Sequence, residues 1–299
     1  MIPLIIDTDV ALGVHHEGRP RDIDDGFAIV EAINSDAIDL LAVTTVFGNG
    51  PLSEVDRVAR EIIDLKGVAV PVHSGAAAAM DPGEADTTPN AAVTAMAEIL
   101  ASRRAHIAAI GPLTNMGRLV AQFPQVLGNI DSVIIVAGRS RDRRFHLGDK
   151  GPVSDFNFEN DVEATRLLLE SGVPLVLAGF ELTSQVAVTE ADLETIAASL
   201  SPTARYFYDN SLAWCRHWTS TFPADTGFHP WDSAAISWLK HPDYFVSEDR
   251  GWRIRHNSED KVDWLETDPN FSGSRVTFCT GFATDGARRF VEDVVTSVY

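Results

Sequence analysis

The chain has 299 residues, 45% of them hydrophobic and 22% charged, the composition of a globular protein with a sizeable core. Its 24 Lys and Arg against 43 Asp and Glu leave a formal charge of −19, which repels polyphosphate backbones and anionic membrane surfaces, so no nucleic-acid or membrane partner is expected. The two cysteines, Cys215 and Cys279, are far apart with neither CxxC nor Cys-His spacing, which indicates neither a zinc site nor a disulfide framework and predicts two buried thiols.

Short apolar, β-branched runs alternate with longer helical patterns as far as Ser199, the signature of βαβ units winding a mostly parallel sheet. The first predicted strand, Pro3 to Asp7, ends in Asp7-Thr8-Asp9. After an interruption, Asp22-Ile23-Asp24-Asp25 opens a helix predicted over Asp25 to Ile33. Carboxylates converging on one strand end repel one another unless a cation neutralises them. Taken alone, Asp24 and Asp25 read equally well as capping residues that offset the helix dipole. The next strand, Leu40 to Phe47, carries Thr44-Thr45 and runs into Gly48-Asn49-Gly50, where the glycines permit a tight turn and Asn49 offers both a donor and an acceptor.

A helix over Ser53 to Leu65 and a strand over Val68 to His73 follow, then a helix over Ala91 to Ser102 and a strand over His106 to Ile110. That strand leads into Gly111-Pro112-Leu113-Thr114-Asn115, a turn able to leave a main-chain carbonyl free for a hard cation, with helix capping by Thr114 as the alternative. Further elements are predicted as helix Asn115 to Gln122, strand Val133 to Ala137, helix Val162 to Leu169, strand Leu175 to Phe180 and helix Glu190 to Ser199. The remainder is richer in aromatics and helices, with helices over Ala204 to Trp218 and Asp232 to Lys240 and short strands near Trp252 to His256 and Arg275 to Cys279. Trp214 and Trp218, spaced i to i+4, read as core or an oligomer contact ahead of a substrate platform, and His73 and His229 as structural ahead of catalytic. The expectation is a single α/β domain over residues 1–299, a mostly parallel, doubly wound open sheet flanked by helices with a helical C-terminal part. In such a sheet the ligand lies beyond the carboxyl ends of the strands. No apolar run reaches membrane-spanning length and Ile2 to Ile6 is too short for a signal sequence, so a cytoplasmic location is expected.

These segments together resemble the calcium-dependent nucleoside hydrolases of the inosine-uridine-preferring family, whose usual opening is a D-x-D-P-G-x-D-D run. The resemblance extends through Thr44-Thr45 to Asn49, Gly111 to Asn115, Gly148 to Asn157 and Trp231-Asp232, and so covers most of the chain. It implies calcium held by the carboxylates of Asp9, Asp25 and Asp232 and by the main-chain carbonyl of Thr114. It implies that Asp24, Asn49 and Asn157 grip the ribose hydroxyls, with Asp149 and Asp155 near the 5′-hydroxyl where the family commonly has Asn and Glu. The chain departs from the pattern by inserting Val10 to Asp22, a loop at the mouth of the site that reads as a mobile lid, and by placing Trp231 where many members have His. Purine-preferring members place a tryptophan there.

The expected reaction is hydrolysis of the N-glycosidic bond of a ribonucleoside to free base and ribose, leaning to purines and serving nucleoside salvage. A calcium-bound water would be activated by Asp9 as general base, and Trp231 would stack on the base. Family members often form dimers or tetramers, so a homodimer or homotetramer is expected. One rival is a haloacid-dehalogenase-like phosphohydrolase, since a strand ending Asp7-Thr8-Asp9 also fits that family's D-x-D motif. The other is a calcium-dependent nucleoside- or sugar-binding protein without catalysis.

Overall fold

The computed structural model describes residues 1–80, 89–148, 150 and 152–299. A ten-stranded sheet runs in the spatial order Val72–His73, Ile38–Thr45, Ile2–Thr8, Ala105–Ala109, Ile130–Ile135, Leu175–Leu177, Arg275–Phe282, Phe245–Asn257, Val262–Asp268, Arg139–Ser140. Pairing is parallel from Val72–His73 through Arg275–Phe282. It turns antiparallel between Arg275–Phe282, Phe245–Asn257 and Val262–Asp268.

Helices cover both faces of the parallel part, so its strands are buried on both sides and read as near-continuous apolar runs. Along Ile2–Thr8 the two-residue repeat sends Leu4 and Ile6 into one core layer and Ile5 into the other. The chain steps from Ile2–Thr8 outward to Ile38–Thr45 and Val72–His73, then returns to pair Ala105–Ala109 on the opposite side. That reversal makes the carboxyl end of Ile2–Thr8 a topological switch point, where an open α/β sheet leaves a crevice.

The C-terminal part supplies the helices Pro202–Thr221, Ser233–Lys240 and Gly286–Thr296. It also supplies three long strands that extend the sheet, where the sequence predicts only short ones near Trp252 and Arg275. Cys215 and Cys279 are buried free thiols, as expected. Among the described residues no helix is long and apolar enough to cross a membrane.

The inserted segment divides in two. Val10, Ala11, Leu12 and Val14 are buried in the main core layer, which a mobile lid would not be. Only His15–His16 and Arg19–Pro20 form a small antiparallel hairpin outside it.

Candidate active site

The helix Asp24–Asn34 starts at the switch point, and the capping alternative fails there. Ile23 holds the N-cap position and no side chain caps the helix. Asp24 and Asp25 reach other elements instead. Oδ2 of Asp24 accepts the main-chain N–H of Asp232 at 2.8 Å, and Oδ1 of Asp25 accepts the Thr8 hydroxyl and the N–H of Asp9. Carboxylate oxygens of Asp24, Asp25 and Asp232 lie within 4.8 Å of one another, and all three residues are buried. The sequence placed Asp9 rather than Asp24 in this group; Asp9 stands beside it, joined to Asp25 at 3.2 Å.

Oδ2 of Asp9 accepts the N–H of Asn49 at 2.7 Å. A Cβ added at Gly48 would lie 2.0 Å from that same oxygen, so the turn reaches Asp9 only because position 48 is glycine. Burial, followed by the neighbouring carboxylates, holds Asp9, Asp24 and Asp232 well above the ordinary carboxylate range. Burial likewise pushes Asp22 and Asp25 up to about 7. Such a group is stable either carrying protons or holding a cation. Oδ2 of Asp25 is buried with no hydrogen-bond donor, and all the donor atoms are hard oxygens, so a hard divalent cation fits the residues present.

Thr114 does not cap its helix either, because Leu113 holds the N-cap position. Its hydroxyl donates to Asp161 at 2.6 Å, pinning the Gly111–Asn115 turn to the helix Val162–Glu170. Asn115 donates to Asp7 at 2.8 Å and to the carbonyl of Thr45 at 2.9 Å, locking three strand ends together. Asn157 donates its amide to the carbonyls of Ile110 and Val136 at 2.8 and 3.3 Å, which leaves its own oxygen as an acceptor. Asp155 is buried and accepts the N–H of Gly138 at 2.9 Å, and burial pushes its carboxyl up to about 6. Asp149 lies outside the described residues.

Above the carboxylates opens a cavity of about 370 Å³. Asp9, Asp24, Asn49, Asp155, Asn157 and Asp232 line it, so most of the residues singled out in the sequence share one space. Thr114 and Asp25 are not in its wall. Trp231 is, with its ring stacked on Phe180 at 5.4 Å and 15°. Phe180 stacks in turn on Phe145 at 4.3 Å.

Trp214 and Trp218 pack against the main core, in keeping with the core reading, and also line this cavity. They share it with His217 and Thr221 from the same helix, which sequence reasoning passed over. The signal was present: positions 214, 217, 218 and 221 repeat at the spacing of one helix face, but that spacing marks buried faces in general. Arg19 and Arg21 reach the cavity from the hairpin segment. His229 does not reach it; its ring nitrogens face the carbonyl of Val186 and the carboxylate of Asp225, and the ring packs on Trp231 at 4.6 Å.

The family model described as inosine-uridine preferring nucleoside hydrolase matches residues 4–288. The non-specific ribonucleoside hydrolase RihC of Escherichia coli K12 is 28% identical over 268 residues, 82% of this chain and 81% of that protein. The pyrimidine-specific ribonucleoside hydrolase RihA of Shewanella woodyi is 28% identical over 250 residues, 75% of this chain and 78% of that one. Among solved structures, the purine-preferring ribonucleoside hydrolase from Gardnerella vaginalis shares the fold, with a TM-score of 0.83 at 19% identity over 99% of this chain and 98% of that chain. A family match over residues 4–288 sets the phosphohydrolase reading aside. The chain belongs to the inosine-uridine preferring nucleoside hydrolase family and is an N-glycosyl hydrolase.

Proposed function

We propose that this enzyme cleaves the N-glycosidic bond of ribonucleosides, preferring purines, with a calcium ion as its resident cation. One observation carries the reading: a single cavity sets sugar-sized polar groups, Asp9, Asp24, Asn49 and Asn157, next to an aromatic wall that begins at Trp231, the neighbour of Asp232. Asp25 and Asp232 are the ligands favoured by both sequence and geometry, with Asp9, Asp24 and the Thr114 carbonyl as the remaining candidates. Calcium bound there supplies an acidified water and a second anchor for the sugar diol.

The protein's own side chains do the rest. Asp9, its carboxylate fixed by the Asn49 N–H, takes the proton of the attacking water. Asp24, Asn49 and Asn157 hold the ribose hydroxyls while positive charge develops on the sugar ring, and Asp155 faces the 5′ end, with Asp149 assigned there by resemblance. Trp231 takes the base against a face already held by Phe180, and stacking of this kind contributes on the order of 1 to 3 kcal/mol per base. A two-ring purine overlaps that indole more than a pyrimidine does. A cytoplasmic place in nucleoside salvage, as a homodimer or homotetramer, completes the proposal.

A reducing-sugar assay across purine and pyrimidine ribonucleosides tests it. Release of ribose from inosine well above that from uridine is expected, together with about one calcium per chain by metal analysis. Equal rates would remove the purine preference, and full activity in verified metal-free protein would remove the cation.

A further inference from the structure

Arg139 is only 2% exposed, yet it lies on a two-residue strand at the edge of the sheet. Its guanidinium is clamped between two rings, Phe145 at 4.1 Å and Trp264 at 4.5 Å. Both Nε and Nη2 are buried without a hydrogen-bond acceptor. Burying a cation this way is costly, and an apolar side chain would fill the same slot more cheaply, so the charge itself calls for a use. Arginine suits such a clamp because its planar, weakly hydrated head stacks on aromatic faces.

The charge faces two carboxylates, Glu159 at 3.6 Å and Asp155 at 4.0 Å, with Asp260 and Glu266 acting on it from farther off. Asp155 lines the cavity, and Glu159 accepts the main-chain N–H of Asp155 at 2.8 Å. Among the described residues, the opposite charge acting on Asp155 is Arg139, the like charge is Glu159, and the donor to its carboxylate is the N–H of Gly138. A carboxylate buried to this depth keeps its charge only if something favourable is nearby. A protonated carboxyl is a weaker acceptor for a substrate hydroxyl than a carboxylate.

We propose that Arg139 is a positioning residue which, locked between Phe145 and Trp264, keeps Asp155 an ionised hydrogen-bond acceptor for a hydroxyl of the bound substrate. This rests on the assignment of Asp155 to the sugar-binding wall. The effect belongs to substrate capture and not to bond cleavage, so it reads out in KM and leaves kcat nearly unchanged.

The experiment follows the Asp155 carboxyl by carbon-13 NMR titration in the calcium-loaded enzyme, with Asp155→Asn for assignment, beside KM for inosine as a function of pH. Arg139→Met should move the Asp155 midpoint upward by about one pH unit or more, and the acid limb of the KM profile with it. Arg139→Lys should return both toward the wild type. Glu159→Gln should move the midpoint the opposite way, and this site, less buried than Arg139, reports even if Arg139→Met fails to fold. A midpoint that stays put in folded Arg139→Met or in Glu159→Gln overturns the inference. Midpoints that move as expected while KM does not follow overturn the role of Asp155 in substrate capture and leave only the charge pairing. No ribose release by the wild type would instead remove the substrate reading.

Discussion

Asp9 owes its place to what Gly48 lacks. A methyl at position 48 would collide with the Asp9 carboxylate and its Cβ, so Gly48→Ala should displace the base and lower kcat by roughly tenfold to a hundredfold, with calcium content and melting temperature measured on the same sample. An unchanged kcat would mean that the exact seat of Asp9 is unimportant. Asp9→Asn should cut kcat by about a hundredfold or more with a smaller effect on KM, provided calcium content measured on the same sample is intact. Trp231→Ala should depress purine turnover more than pyrimidine turnover, whereas an equal fall in both with a lower melting temperature would make the tryptophan structural. The aspartates were legible in the sequence because clustered carboxylates at a strand end are expensive and therefore conspicuous. Arg139 was not, because its burial depends on Trp264, more than a hundred positions away, arriving on a neighbouring strand.

At the level of elements, the helices and parallel strands were legible wherever apolar periodicity was strong. The helix Ala91–Ser102 is found as predicted, with Asn90 capping it by accepting the N–H of Val93 at 2.8 Å. Val262–Asp268 was missed, since its Asp, Glu and Thr interrupt the apolar pattern, yet Glu266 is buried against Arg253 and Arg255. Phe245–Asn257 is longer than predicted because its first half is exposed and polar, and antiparallel pairing tolerates a wet face. Leu175–Leu177 ends early, where Gly179 admits the start of a short helix that carries Phe180 to the cavity. The inserted segment changes the excision experiment that its sequence invites. Removing Val10 to Val14 would open the core, so the informative variant joins Val14 to Arg21 and deletes only the hairpin. It should fold and retain calcium while KM for nucleosides rises, because Arg19 and Pro20 would no longer wall the cavity; an unaltered KM would make the hairpin decoration.

Across the whole molecule, the order of strands was not legible, because each crossover is fixed by contacts between distant segments. The switch point that this order creates concentrates buried acid, with consequences for stability. Burial holds Asp7 and Asp25 at about 7, above the 3.8 of a free carboxyl. Carboxyls raised in this way bind more protons folded than unfolded, so in the absence of a cation stability falls as pH rises from about 4 through about 7. In excess chelator the melting temperature should accordingly be higher near pH 5.5 than near pH 8, and added calcium should raise it more at the higher pH. Scanning calorimetry at both values checks this, and a calcium effect independent of pH would show that these carboxyls do not titrate with the ion. The two outermost strands of the sheet, Val72–His73 and Arg139–Ser140, are each only two residues long. A strand that short presents few amides and carbonyls of its own to a second molecule. Joining of sheets through those two strands is therefore disfavoured, and crowding the protein should not seed fibres along them.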